Sequence, residues 1–77
     1  MNKREKFLEV FASHLTEKRT QKKYSIRELA SRSNLEYSHV QRIEKAKVNI
    51  SLTTLIALAD GLEIHPSELL QGLKIPV

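Results

Sequence analysis

A chain of 77 residues, 40% hydrophobic and 29% charged, holds one small domain around one core and excludes two. It has no cysteine, so disulfides cannot staple it, and His14, His39 and His65 lack the spacing of a zinc site, so no metal or cofactor is expected. The net charge of +4 is uneven, with 12 basic and 6 acidic residues through Lys47 and 1 basic and 3 acidic residues beyond it, which points to a polyanionic partner, nucleic acid ahead of a membrane.

In chain order, Phe7, Leu8, Val10, Phe11 and Leu15 fall on one helical face and predict a first helix from about Lys3 to Thr20. His14 lies near that stripe and reads as a packed structural histidine. Ser25 with Glu28 three residues later has the form of a capping box, so a second helix starts there, carries Ile26, Leu29 and Ala30 inward, and ends at Ser33-Asn34. After a turn of about three residues, Tyr37 opens a third helix with Val40 and Ile43 inward and Tyr37, Ser38, Gln41, Arg42 and Lys45 on the opposite arc. Residues 45–50 break the periodicity and read as a loop. Ser51 caps a fourth helix bearing Leu52, Leu55, Ile56, Leu58, Ala59 and Leu62, with Gly61 near its end. Pro66 suits the first turn of a short fifth helix closed by Gly72, and residues 71–77 form an apolar tail. No segment alternates as a strand would, so the expected fold is all-α with five helices.

Catalysis finds no footing. There is no cysteine, no glycine-rich phosphate loop and no His-Glu-x-x-His pattern, and His65 with Glu68 is accounted for by capping. An enzyme is therefore not expected. The informative constellation is central: a capped short helix, a tight turn, and a helix with a polar outer face, which is helix-turn-helix geometry over about residues 25–46. A helix fits the major groove of B-DNA, where Arg42 can fork onto guanine O6 and N7 and Gln41 onto adenine N6 and N7. Lys22, Lys23, Arg27, Lys45 and Lys47 flank that helix in sequence, where phosphates would lie.

The runs Tyr24-Ser25-Ile26-Arg27-Glu28-Leu29-Ala30, Ser33-Asn34-Leu35, Val40-Gln41-Arg42-Ile43-Glu44, Asn49-Ile50-Ser51-Leu52 and Ala59-Asp60-Gly61-Leu62-Glu63-Ile64 stand in order, and over about residues 11–70 the chain resembles the Cro/phage-repressor (XRE-type) helix-turn-helix family. The resemblance implies a five-helix lambda-repressor-like fold and sequence-specific binding of double-stranded DNA, usually as a homodimer, in repressors, antitoxins and restriction-modification controllers. By position it implies base reading by Tyr37, Ser38 and Arg42, with His39 and Gln41 nearby. It also implies phosphate contacts from Ser25 and Lys45, and an ion pair between Arg19 and Glu44 joining the first helix to the third. The sequence departs from the family in four places. Ile26 stands where a DNA-contacting glutamine is frequent, Glu36 replaces a Ser/Thr cap, Ala46 replaces a glycine and Ile50 a proline.

Leu69, Leu70, Leu73, Ile75 and Val77 exceed what one short helix can cover, so the tail is expected at a homodimer interface, the alternative being that it folds back on Phe7 and Leu8. Residues 1–77 are read as a single domain. The absence of cysteine fits a reducing compartment, no apolar run approaches the roughly 18 residues of a membrane span, and the N-terminus lacks the apolar core of a secretory signal. The expectation is a cytoplasmic repressor whose mature chain is the whole chain. Two rivals remain open: an antitoxin with a toxin partner, and a helical protein-interaction module that no longer binds DNA.

Overall fold

The computed structural model describes residues 2–71 and 73. Among these it contains five helices and no strand: α1 (Lys3–Gln21), α2 (Ile26–Ser33), α3 (Tyr37–Glu44), α4 (Leu52–Leu62) and α5 (Pro66–Leu70). Three N-termini are closed by a short polar side chain accepting the amide three residues on: Asn2 from Glu5 at 2.8 Å, Ser25 from Glu28 at 3.0 Å and Ser51 from Thr54 at 3.1 Å.

The predicted box at Ser25 is half formed. The Glu28 carboxylate does not return to the Ser25 amide but turns along α2 to Arg32, 3.4 Å away. A reciprocal arrangement occurs at α5 instead, where His65 N donates to Glu68 Oε2 at 3.0 Å and Ser67 N donates to His65 Nδ1 at 3.1 Å.

Each link between consecutive helices contains one non-glycine residue in the left-handed region: Lys23, Asn34, Ala46 and Glu63, with φ of 64°, 56°, 59° and 58°. The reversal after α2 follows from this. Asn34 turns the chain so that Leu35 N donates to Ala30 O at 2.9 Å and the Leu35 side chain packs against the core.

The core joins Phe11 and Leu15 of α1, Leu29 and Ala30 of α2, Val40 and Ile43 of α3, Leu55, Leu58, Ala59 and Leu62 of α4, and Leu69 of α5. Leu69, expected at an interface, is fully buried in its own chain. A five-residue helix has no stability alone, and Leu69 is what fastens α5 to the rest. His14 adds a polar tie, its Nε2 donating to the Glu68 carbonyl at 3.1 Å. Because a carbonyl only accepts, this bond places the imidazole proton on Nε2.

Glu63 caps α4, and Gly61 stands near the end of the helix, as expected. It lies inside the helix, where α4 crosses the end of α2. A Cβ there would collide with Ser33 Oγ and meet Ser33 N at 3.0 Å and the Arg32 carbonyl carbon at 3.2 Å.

Candidate nucleic-acid interface

The third helix owes its orientation to its last residue. Arg19, in the last turn of α1, donates from Nε to Glu44 Oε2 at 2.7 Å and from Nη2 to Oε1 at 3.0 Å, while its Nη1 donates to the Tyr24 carbonyl at 2.7 Å. Thr16, one helical turn earlier on the same face of α1, donates to Glu44 Oε1 at 2.9 Å. Both charged side chains are largely withdrawn from water, 14% and 6% exposed. One guanidinium thus joins α1, the α1–α2 link and α3. Thr16 and Tyr24 are absent from the residues proposed from sequence; the i, i+3 spacing of Thr16 and Arg19 carries the one signal that could have found the former.

With Val40 and Ile43 buried, the outer arc of α3 presents Tyr37, Ser38 and Arg42, all exposed. Gln41 lies on the same arc, half-buried, and His39 sits at its margin. Glu36 takes the N-cap position of α3 without a side-chain hydrogen bond to the helix, so the first amides of α3 lack the cap that α2 and α4 possess.

At the start of α2, Ser25 is exposed. Its oxygen accepts from Glu28 N, and its hydroxyl hydrogen is left for another partner. Ile26 packs against the core, so the neighbouring side chain reaching outward is Arg27, whose guanidinium carbon lies 4.4 Å from the centre of the Tyr37 ring. Lys45 and Lys47 are exposed in the turn after α3, where Lys47 N donates to Arg42 O at 3.0 Å. Lys23 is exposed in the α1–α2 link. Lys22 stands apart from this group. It borders a groove with Lys18, Gln21, Leu62, Ile64 and Glu68 and so belongs with the α4–α5 turn rather than with α3.

The apolar residues expected to pair two copies are dispersed. Leu69 is buried, Leu73 is half-buried in a hollow formed with Lys6, Val10 and His14 of α1, and Ile75 and Val77 lie outside the described residues. Leu70 remains 46% exposed, and Leu52 and Ile56, one turn apart on α4, are 71% and 47% exposed. Leu70 and Leu52 border a cleft of about 300 Å³ with Phe7, Phe11, Ile50 and Leu55. The described residues contain no group of three metal-ligating side chains and no helix long and apolar enough to cross a membrane.

A search of curated proteins returned no match. The Helix-turn-helix family profile matches residues 15–69, most of the chain. Among solved structures, the restriction-modification controller protein C.AhdI from Aeromonas hydrophila is 40% identical, covering 80% of this chain and 94% of that one with a TM-score of 0.79. The restriction-modification controller protein C.Esp1396I is 24% identical, covering 87% of each chain with a TM-score of 0.81. The clp gene regulator ClgR from C. glutamicum is 22% identical, covering 83% of each with a TM-score of 0.77. At those identities the last two speak for the fold alone. With a matching family profile, a 40% identical relative aligned over nearly its full length, and a third helix locked by Arg19 and Glu44, the chain belongs to the helix-turn-helix family of DNA-binding transcription regulators.

Proposed function

We propose that the chain acts in the cytoplasm as a homodimeric regulator that occupies a palindromic operator and represses transcription, in the manner of a restriction-modification controller. The observation that carries this reading is the exposed arc of Tyr37, Ser38 and Arg42 on a helix whose far end is fixed by a largely buried ion pair. Such an anchor favours one presentation of the helix to base edges. Lys23 and Ser25 precede α2, and Lys45 and Lys47 follow α3, where they would neutralise phosphates and set the register. The 40% identity to a protein named as a restriction-modification controller favours that role over an antitoxin, and the toxin partner gains no support.

The exposed Leu52, Ile56 and Leu70 support pairing with a second copy, now centred on α4 and the end of α5 rather than on the tail. Two recognition helices related by a two-fold axis would meet successive major grooves about 34 Å apart.

Selection of bound sites from random DNA, followed by titration of the selected duplex at several salt concentrations, tests this reading. The expected result is a palindromic site whose affinity falls by roughly 0.9 log units per log salt for each phosphate neutralised. Absence of any enriched site, with an affinity indifferent to salt, would overturn it in favour of a helical protein-interaction module.

A further inference from the structure

Two arginines of α2 lie over tyrosine rings, and they differ in what else they touch. Arg32 lies 4.3 Å from the centre of the Tyr24 ring and also reaches Glu28 at 3.4 Å, so its charge is answered within the protein. Arg27 lies 4.4 Å from the centre of the Tyr37 ring and, among the described residues, has no carboxylate within 4.0 Å and no hydrogen-bond acceptor. With the guanidinium carbon over the ring and no acceptor for it among the described residues, the N–H donors of Arg27 stay available for a partner outside the protein. Tyr37 is the first residue of α3, and the N-terminal residues of a recognition helix are those that meet base edges. Arg27 is therefore held at the base-reading end of α3, unlike Lys45 and Lys47, which lie in the turn after it.

We propose that Arg27 reads a guanine in the major groove, with the Tyr37 ring as the platform that positions it. This rests on the DNA-binding reading above, with α3 in the major groove, and it changes two roles. Arg27 moves from phosphate contact to base reading, and Tyr37 becomes a positioning residue that acts through its ring rather than its hydroxyl. Guanine is specified because its O6 and N7 accept the two parallel N–H groups of an arginine fork, a match no other base edge offers. The platform matters because a free arginine has many rotamers and must surrender them on binding, whereas one already held on a ring has fewer to lose.

The test uses the full chain and the duplex selected for it, measuring affinity for that duplex and for derivatives with each base pair replaced. In the wild-type protein one guanine in each half-site should cost about tenfold or more when replaced. Arg27→Ala and Tyr37→Ala should each abolish discrimination at that same position, and the double variant should be no worse than Arg27→Ala. Tyr37→Phe, which keeps the ring, should retain the preference. Arg27→Lys should lose it while leaving the dependence on salt unchanged. The proposal is overturned if Arg27→Ala weakens all duplexes equally and lowers the salt dependence, the signature of a phosphate contact, or if Tyr37→Phe loses the preference as fully as Tyr37→Ala. In either case the wild-type protein still binds its site. Failure of the wild-type protein to select any site is a separate outcome, which overturns the DNA-binding reading and this proposal with it.

Discussion

Arg42 and Lys45 are both exposed and cationic, yet they are separated by the end of α3, and the proposed reading assigns them different roles. Arg42→Ala is expected to relax preference at one base position by about 1–3 kcal/mol. Lys45→Ala should weaken all duplexes alike and lower the salt dependence by about one phosphate equivalent. Binding titrations against a set of single-base variants separate the two patterns. At Ala46 the issue is backbone. Its φ of 59° places a Cβ where glycine has none, at a cost of roughly 1–2 kcal/mol. Ala46→Gly should recover about 1 kcal/mol in urea denaturation, net of the freedom that glycine gains when unfolded. Gly61 is the opposite case. Gly61→Ala should destabilise by about 1–3 kcal/mol, because the new methyl group drives into the backbone of α2 at Ser33. Ser33→Ala, which removes a buried hydroxyl that has no hydrogen-bond partner among the described residues, should leave stability unchanged or raise it.

At the scale of elements, Arg19 and Glu44 decide how α3 sits. Removing one member of a buried pair strands the other, so Glu44→Ala should cost about 3 kcal/mol, far above the less than about 1 kcal/mol expected of an exposed pair such as Glu28 and Arg32. Thermal melts measure the loss, and DNA affinity should fall by more than the unfolded fraction accounts for, because the surviving α3 is no longer fixed in angle. Helix existence was legible in the sequence from apolar spacing, reinforced by Ser caps at α2 and α4 and by Pro66 at α5; the first helix extends one residue beyond the expected Thr20. What was not legible depended on partners distant in sequence. Glu28 has the spacing of a capping box, but it also has Arg32 four residues on, and local competition between two partners is not settled by spacing. Gly61 and Leu69 likewise took their roles from α2 and the core, and the Arg27–Tyr37 stack joins two helices across ten positions.

For the whole molecule, the feature with the widest reach is the uncovered apolar surface of Leu52, Ile56 and Leu70. A double variant, Leu52→Lys with Ile56→Lys, adds two like charges to each copy at positions that contribute little to the core. Sedimentation at micromolar concentration should show monomer for this variant and dimer for the wild-type protein, with unchanged far-ultraviolet circular dichroism. On the proposed homodimeric reading, operator affinity should drop steeply, since each monomer would hold only half of a palindrome. A wild-type protein that sediments as a monomer at that concentration would overturn the homodimer.

The four left-handed links also bear on how long a copy of this protein lasts. Asn34 tolerates that conformation, but Lys23, Ala46 and Glu63 do not favour it, and at roughly 1 kcal/mol each they subtract about 3 kcal/mol from a small domain whose total is of order 5. Every factor of ten in the folded-to-unfolded ratio is about 1.4 kcal/mol, so the three turns together raise the open population by about two orders of magnitude. Proteases act on that open population. Replacing Lys23, Ala46 and Glu63 together by glycine is therefore expected to slow cleavage by a nonspecific protease under native conditions, and a rate equal to that of the wild-type protein would show that these turns do not limit its persistence.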